Sequence, residues 1–227
     1  MVINRSQPLS AAILMFLTLI FPLPYPAPAR AESKNNDAVP ELLPLPDSHK
    51  LSVIQSAYLD VYSILSNDNS CSDFFGGPRS IQALNKFLLQ LRASYLDRRI
   101  SIRMSGSMSF YENTTTNLSY RLFEKVEVNS AGPFFQSRRA VGATVPLVGT
   151  FQPNTREARA TILLHALGHL IRRPDNSWLL VDDGNDTAKS ENNTDRVLKA
   201  CRAQIESLHR FSFETELAQA QTDARQL

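Results

Sequence analysis

The first apolar run along the chain is not periodic. Residues 11–23 (AAILMFLTLIFPL) are apolar except for Thr18 and Pro22, follow Arg5, and lead into PLPYPAP. A spanning helix needs about 20 apolar residues. This run is shorter, and its prolines cannot continue a helix. With Ala29-Arg30-Ala31 supplying the small-x-small cleavage pattern, it predicts an export signal over residues 1–31. No Cys follows the run, which argues against a lipid-anchored form. The expected product is secreted or periplasmic, without a membrane span.

Periodicity begins after a polar, Pro-rich lead-in over residues 32–48. Val53, Ile54, Ala57, Tyr58, Val61, Ile64 and Leu65 recur at helical spacing, predicting an amphipathic helix over 51–65 that SNDNS ends. Phe74-Phe75-Gly76-Gly77-Pro78 reads as a turn. Ser80 is the expected cap of a second helix, running to about Leu96 and burying Ile81, Leu84, Leu88 and Leu91. The pattern then shortens. Arg99–Met104 and Ser107–Tyr111 are candidate strands on either side of Gly106, Tyr120–Val128 alternates apolar and polar, and Val141–Val148 is a further candidate. Helical spacing returns after Pro153. Helices, a small central sheet and helices again predict one α+β domain over 49–212, with a polar tail over 213–227, frayed or disordered.

Charge and cysteine content sharpen this picture. The 24 Lys+Arg and 22 Asp+Glu leave a surplus of two, matched by Arg5 and Arg30 of the signal, so the exported chain is formally neutral. Its charges are scattered, without the clustered basic face of a nucleic-acid binder. The two cysteines, Cys71 and Cys201, read as a disulfide in an exported chain, the alternative being two separate buried thiols. They are neither a redox pair nor spaced as metal ligands.

The chemistry concentrates after Pro153. Asn154-Thr155-Arg156-Glu157 has the spacing of a capping box with Asn as the cap. The helix it opens, ARATILLHALGHLI, is apolar almost all round, as a buried helix is. Two of the four histidines, His165 and His169, fall in it at i and i+4. That spacing puts them on one face about 6 Å apart, within reach of one metal ion. The plainer reading is a pair of core histidines bonded to backbone.

The string ATILLHALGHLI resembles the active-site helix of zincin metallopeptidases, whose motif is HExxH. The resemblance implies a zincin-like α+β fold with the HxxxH helix buried, zinc held by His165 and His169, and peptide hydrolysis at the metal. Gly168 fits the HELGH form, but Ala166 stands where the general-base Glu belongs. A methyl group accepts no proton, and loss of a general base typically costs about 10²–10⁴ in rate. The third ligand has two candidates. Asp175 lies where HExxHxxGxxD zincins place an Asp, although Arg172 replaces their Gly. Asp183 lies in an Asp182-Asp183-Gly184 turn. The run LLVDDGND…SENNTDRVLKAC resembles segments after HELGH in secreted bacterial zincin-like proteins, and it favours Asp183 slightly. Trp178-Leu179-Leu180 would pack this excursion onto the domain. Arg172 falls toward the ligand face, or else serves the helix dipole together with Arg173. Asp182 could replace the base only if Asp183 or Asp175 is the ligand, and Asp183 only if one of the other two is. Glu157 lies about 12 Å along the helix from His165.

A last helix is expected from Ser190, as cap, to about His209, with Val197, Leu198, Cys201 and Ile205 on one face. Asn113, Asn117, Asn185 and Asn192 head glycosylation sequons that otherwise read as polar loop. Two functions follow. One is a zincin-like metallopeptidase homologue, catalytically impaired, still holding zinc. The other is a metal-free module that binds a peptide or protein ligand in the same cleft.

Overall fold

The computed structural model describes residues 48–97, 100–113, 117–137, 144–184 and 186–224, with side chains described from His49 to Leu208. The expected signal over 1–31, nearly all of the lead-in, and part of the candidate strand 141–148 lie outside these residues. Five helices and a four-stranded sheet form a mixed α+β fold among the described residues. None of those helices is long and apolar enough to cross a membrane.

The first helix, α1 (Ser48–Ser66), buries Ile54, Ala57, Tyr58, Val61, Ile64 and Leu65, the stripe its spacing predicts. Its end is set by Asn69. That amide donates to the carbonyl of Ile64 (2.7 Å) while its oxygen accepts from the backbone N–H groups of Cys71 and Ser72. One side chain therefore closes α1 and caps a short helix, α2 (Ser70–Phe74), that the sequence reading did not foresee. Gly76 and Gly77 follow with φ of +91° and +79°, a turn only glycine makes without strain.

Helix α3 (Ser80–Leu88) is shorter than expected. Ser80 is its first residue rather than its cap, and the chain leaves the helix to form strand β1 (Leu91–Ser94), parallel to residues 126–129. Leu88 and Leu91 are buried in either arrangement, so spacing alone could not show the switch. The two candidate strands around Gly106 form one strand, β2 (Ile102–Asn113), antiparallel to β3 (Leu118–Asn129). Its register shifts between Ser105 and Met108. Gly106 has φ of +87°, and a Cβ there would lie 2.8 Å from Glu124, so this bulge requires glycine. Strand order is β1-β3-β2, and the two-residue strand β4 (Ile171–Arg172) pairs with Ser119 and Tyr120 of β3. The described part of 141–148 is no strand; Val148 makes only an isolated bridge with Phe151.

Helix α4 (Arg156–Leu170) is the buried centre of the domain, covered from Ala158 to Leu170 on nearly every side. Its cap is Thr155, not Asn154: the Thr155 hydroxyl accepts from the Ala158 N–H (3.2 Å). Asn154 takes φ of +65° and accepts from Arg159. Arg156 bonds the Asp60 carboxylate of α1 at both oxygens (3.1 and 2.5 Å) and donates to the Leu208 carbonyl.

The last helix, α5 (Thr187–Ala224), starts before Ser190. The Asp186 carboxylate accepts from the Lys189 N–H, three residues on, in the manner of a cap (3.1 Å). The helix continues through most of the expected tail. Cys71 and Cys201 form the disulfide, joining α2 to α5 across a sequence separation of 130.

Candidate metal centre

One turn apart on α4, the His165 and His169 rings approach with centroids 4.9 Å apart and Nε2 atoms 3.0 Å apart. The third member arrives from the loop after α4. Residues 172–178 fold back sharply: the Arg173 N–H donates to Ser177 O, the Asn176 N–H donates to Arg173 O, and Arg172 bridges Trp178. The chain then docks on α4. The Leu179 and Leu180 N–H groups donate to the carbonyls of Ile171 (2.9 Å) and Gly168 (3.0 Å). A Cβ on Gly168 would lie 2.5 Å from Leu180 Cδ1, so the glycine of HALGH lets this segment lie against the helix. Asp183 follows, with Oδ2 3.0 Å from His165 Nε2 and Oδ1 3.3 Å from His169 Nε2.

Two residues of α5 hold the arrangement. Asn193, buried, donates one amide to Asp183 Oδ1 and to the Val181 carbonyl (2.8 Å). Thr194 Oγ1 lies 2.9 Å from His165 Nδ1 and donates to the Ser190 carbonyl (3.0 Å). A hydroxyl has a single proton to give. With that proton on Ser190 O, Thr194 can only accept from His165, so His165 carries its hydrogen on Nδ1 and turns the Nε2 lone pair toward Asp183 and His169. In the sequence, Asn193 and Thr194 stand out only as part of a sequon. Their signal was positional: Asn193 is four residues before Val197, Thr194 four before Leu198, so both extend the buried stripe of α5.

His165 Nε2 and the Asp183 oxygens are thus lone-pair sites in contact. A proton or a cation between them reconciles them. The chemistry of the set fits a divalent ion, and the spacing agrees. The two Nε2 atoms are 3.0 Å apart, each meets a different Asp183 oxygen, and with one ligand atom from each residue all three lie within 4.8 Å of one another. His165, His169 and Asp183 could hold a metal ion. Burial works to raise the Asp183 pKa, but the two histidine rings against its oxygens outweigh it. They hold the carboxyl well below the usual carboxylate range.

Asp175 is not brought to the pair. It is exposed at the tip of the 172–178 turn, accepting from the Ser177 hydroxyl (2.6 Å) and N–H (2.9 Å), which lower its pKa. The fold-back that delivers Asp183 is what carries Asp175 outward. Arg172 serves neither expected role. The helix ends at Leu170, and Arg172 lies exposed in β4, donating to the Asn176 carbonyl. Ala166 is buried and offers only a methyl group. Asp182 lies on the far side of His169, against Arg121 and toward Nδ1 rather than Nε2. Glu124 bonds Ser107 and Glu127 faces Arg103, on the sheet. Among the described residues, Asp183 is the carboxylate that converges with the two histidines.

Comparison of the chain with protein-family models, with curated proteins and with solved structures finds no match.

Proposed function

We propose that this protein is an exported zinc-binding domain of the zincin-like type whose site holds the ion but lacks the base for peptide hydrolysis. The observation that carries the reading is the convergence of His165, His169 and Asp183 beside Ala166. A set of two imidazoles and one carboxylate suits zinc, and three protein ligands with an open position are the pattern of catalytic zinc sites. Zinc at such a site polarises a carbonyl and activates water. This chain's residues supply the rest unequally. His165 and His169 present Nε2, Thr194 and Asn193 orient His165 and Asp183, and residue 166 cannot take a proton. Export is supported by the residue 1–31 pattern and by the Cys71–Cys201 disulfide, a bond that persists in oxidising compartments.

The test is the metal content of the purified, oxidised protein, prepared without a histidine tag. One zinc per chain is expected, lost in His165→Ala, His169→Ala and Asp183→Ala, with no cleavage of a generic protein substrate. Ala166→Glu should then raise peptidase activity by about 10²–10⁴. Absence of metal after zinc is added at neutral pH would overturn the reading and leave a metal-free ligand-binding module in its place.

A further inference from the structure

The two histidines are supported unequally. His165 has Thr194 behind its Nδ1. His169 Nδ1 is buried and has no hydrogen-bond partner. If His169 gives Nε2 to a metal, its hydrogen must reside on Nδ1, and that N–H needs an acceptor. The carboxylate facing it is Asp182, whose Oδ1 lies 3.9 Å away. The Asp182 side chain is 61% exposed, whereas His169 lies in the core.

Asp182 does not stand alone. It is paired with Arg121 of β3, a residue only 3% exposed. Arg121 Nε donates to the His169 carbonyl (2.9 Å), one of the acceptors the end of α4 leaves open. Its Cζ lies 4.0 Å from the Trp178 ring centroid, which leaves it little freedom. A buried cation this close to a metal position would repel the metal unless neutralised. Asp182 neutralises it. Arg121 therefore grips both the backbone of His169 and the carboxylate that faces the ring.

We propose that Asp182 is the positioning residue of the metal centre. It accepts the His169 Nδ1 hydrogen, closing the present gap by a small side-chain turn, and Arg121 fixes it in place. The adjacent aspartates thereby divide the work: Asp183 binds the ion, and Asp182 orients the ring that shares it. This inference rests on the zinc-binding reading above.

The experiment compares the wild type with Asp182→Ala and Asp182→Asn, measuring zinc affinity by competition with a chromophoric chelator. Asp182→Ala should keep a stoichiometry of one zinc with Kd raised about 10–100-fold. Asp182→Asn retains an acceptor oxygen and should fall between. Asp182→Ala also leaves the buried Arg121 without its counter-charge, so the metal-free protein should melt lower, and affinity is measured well below that melt. In the zinc-loaded, 15N-labelled protein, the His169 Nδ1–H should exchange slowly, and Asp182→Ala should abolish that protection. An unchanged Kd in Asp182→Ala, with zinc bound by the wild type, would overturn this inference and leave the metal reading standing. A His169 Nδ1–H that stays protected in zinc-loaded Asp182→Ala would overturn it too, reducing Asp182 to a structural partner of Arg121. A wild type that takes up no zinc would remove both.

Discussion

Replacing Gly168 by Ala sets two effects of opposite sign against each other, and the structure decides between them. In a helix interior, Gly→Ala is ordinarily stabilising by about 1 kcal/mol. Here the new Cβ would lie 2.5 Å from Leu180 Cδ1 and 2.7 Å from Cγ. Carbon atoms rest about 3.5–4.0 Å apart, so Leu180 must retreat by about 1 Å. It is fully buried, and its N–H bonds the Gly168 carbonyl, so the retreat involves backbone. Overpacking of this kind costs about 1–3 kcal/mol. We predict net destabilisation of about 1 kcal/mol. The larger consequence is at Asp183, three residues beyond Leu180, whose displacement should weaken zinc binding about tenfold or more. Thermal melts of the metal-free protein and a zinc titration on the same sample give both numbers. A double-mutant cycle with Leu180→Ala tests the cause, because the Gly168→Ala penalty should shrink in that background. A Gly168→Ala protein that melts higher than wild type and binds zinc as tightly would refute the argument that this contact anchors Asp183.

Three further outcomes are expected. Joint replacement of Cys71 and Cys201 by Ser opens a loop with a sequence separation of 130 and should cost about 5 kcal/mol on the chain-entropy estimate; denaturant melts read it, and a loss under about 1 kcal/mol would contradict the estimate. Arg156→Met strands the buried Asp60 carboxylate and should destabilise by about 3 kcal/mol, with Asp60→Asn in the same background restoring part of the loss. Thr194→Val removes the acceptor behind His165 and should raise the zinc Kd about 10–100-fold while leaving stoichiometry at one; unchanged affinity would show that the His165 ring needs no such support.

The parts of the fold that were legible in the sequence share one property: a single periodicity with no competitor. The α1 stripe, the alternation of β3 and the all-apolar α4 are of this kind. Where two structures bury the same residues, as with Leu88 and Leu91, the deciding term was pairing with a strand more than thirty residues away, which no local pattern contains. The candidate site was legible as far as helical geometry reaches, in His165 and His169. The choice of Asp183 over Asp175 depended on where the chain reverses, and that follows from Leu180 against Gly168, a tertiary contact. Arg121 was invisible because a charged residue in an alternating strand reads as solvent-facing, whereas here it is buried among Trp178, Asp182 and the end of α4.

The sequence distances within the site bear on the order in which the molecule assembles. His165 and Asp183 are 18 positions apart, and His165 and Thr194 are 29 apart, whereas the cysteines are separated by 130. Closing the shorter His–Asp loop costs about 2 kcal/mol less chain entropy than closing the cysteine loop. By sequence distance the centre is local inside a long-range frame, and on loop entropy alone its closure does not require prior oxidation. A chain emerging reduced into a zinc-containing compartment would gather residues 165–194 around the ion first and meet Cys71 afterwards. Pulse-labelled refolding of the reduced chain, with and without zinc, would register that sequence of events as early protection of α4.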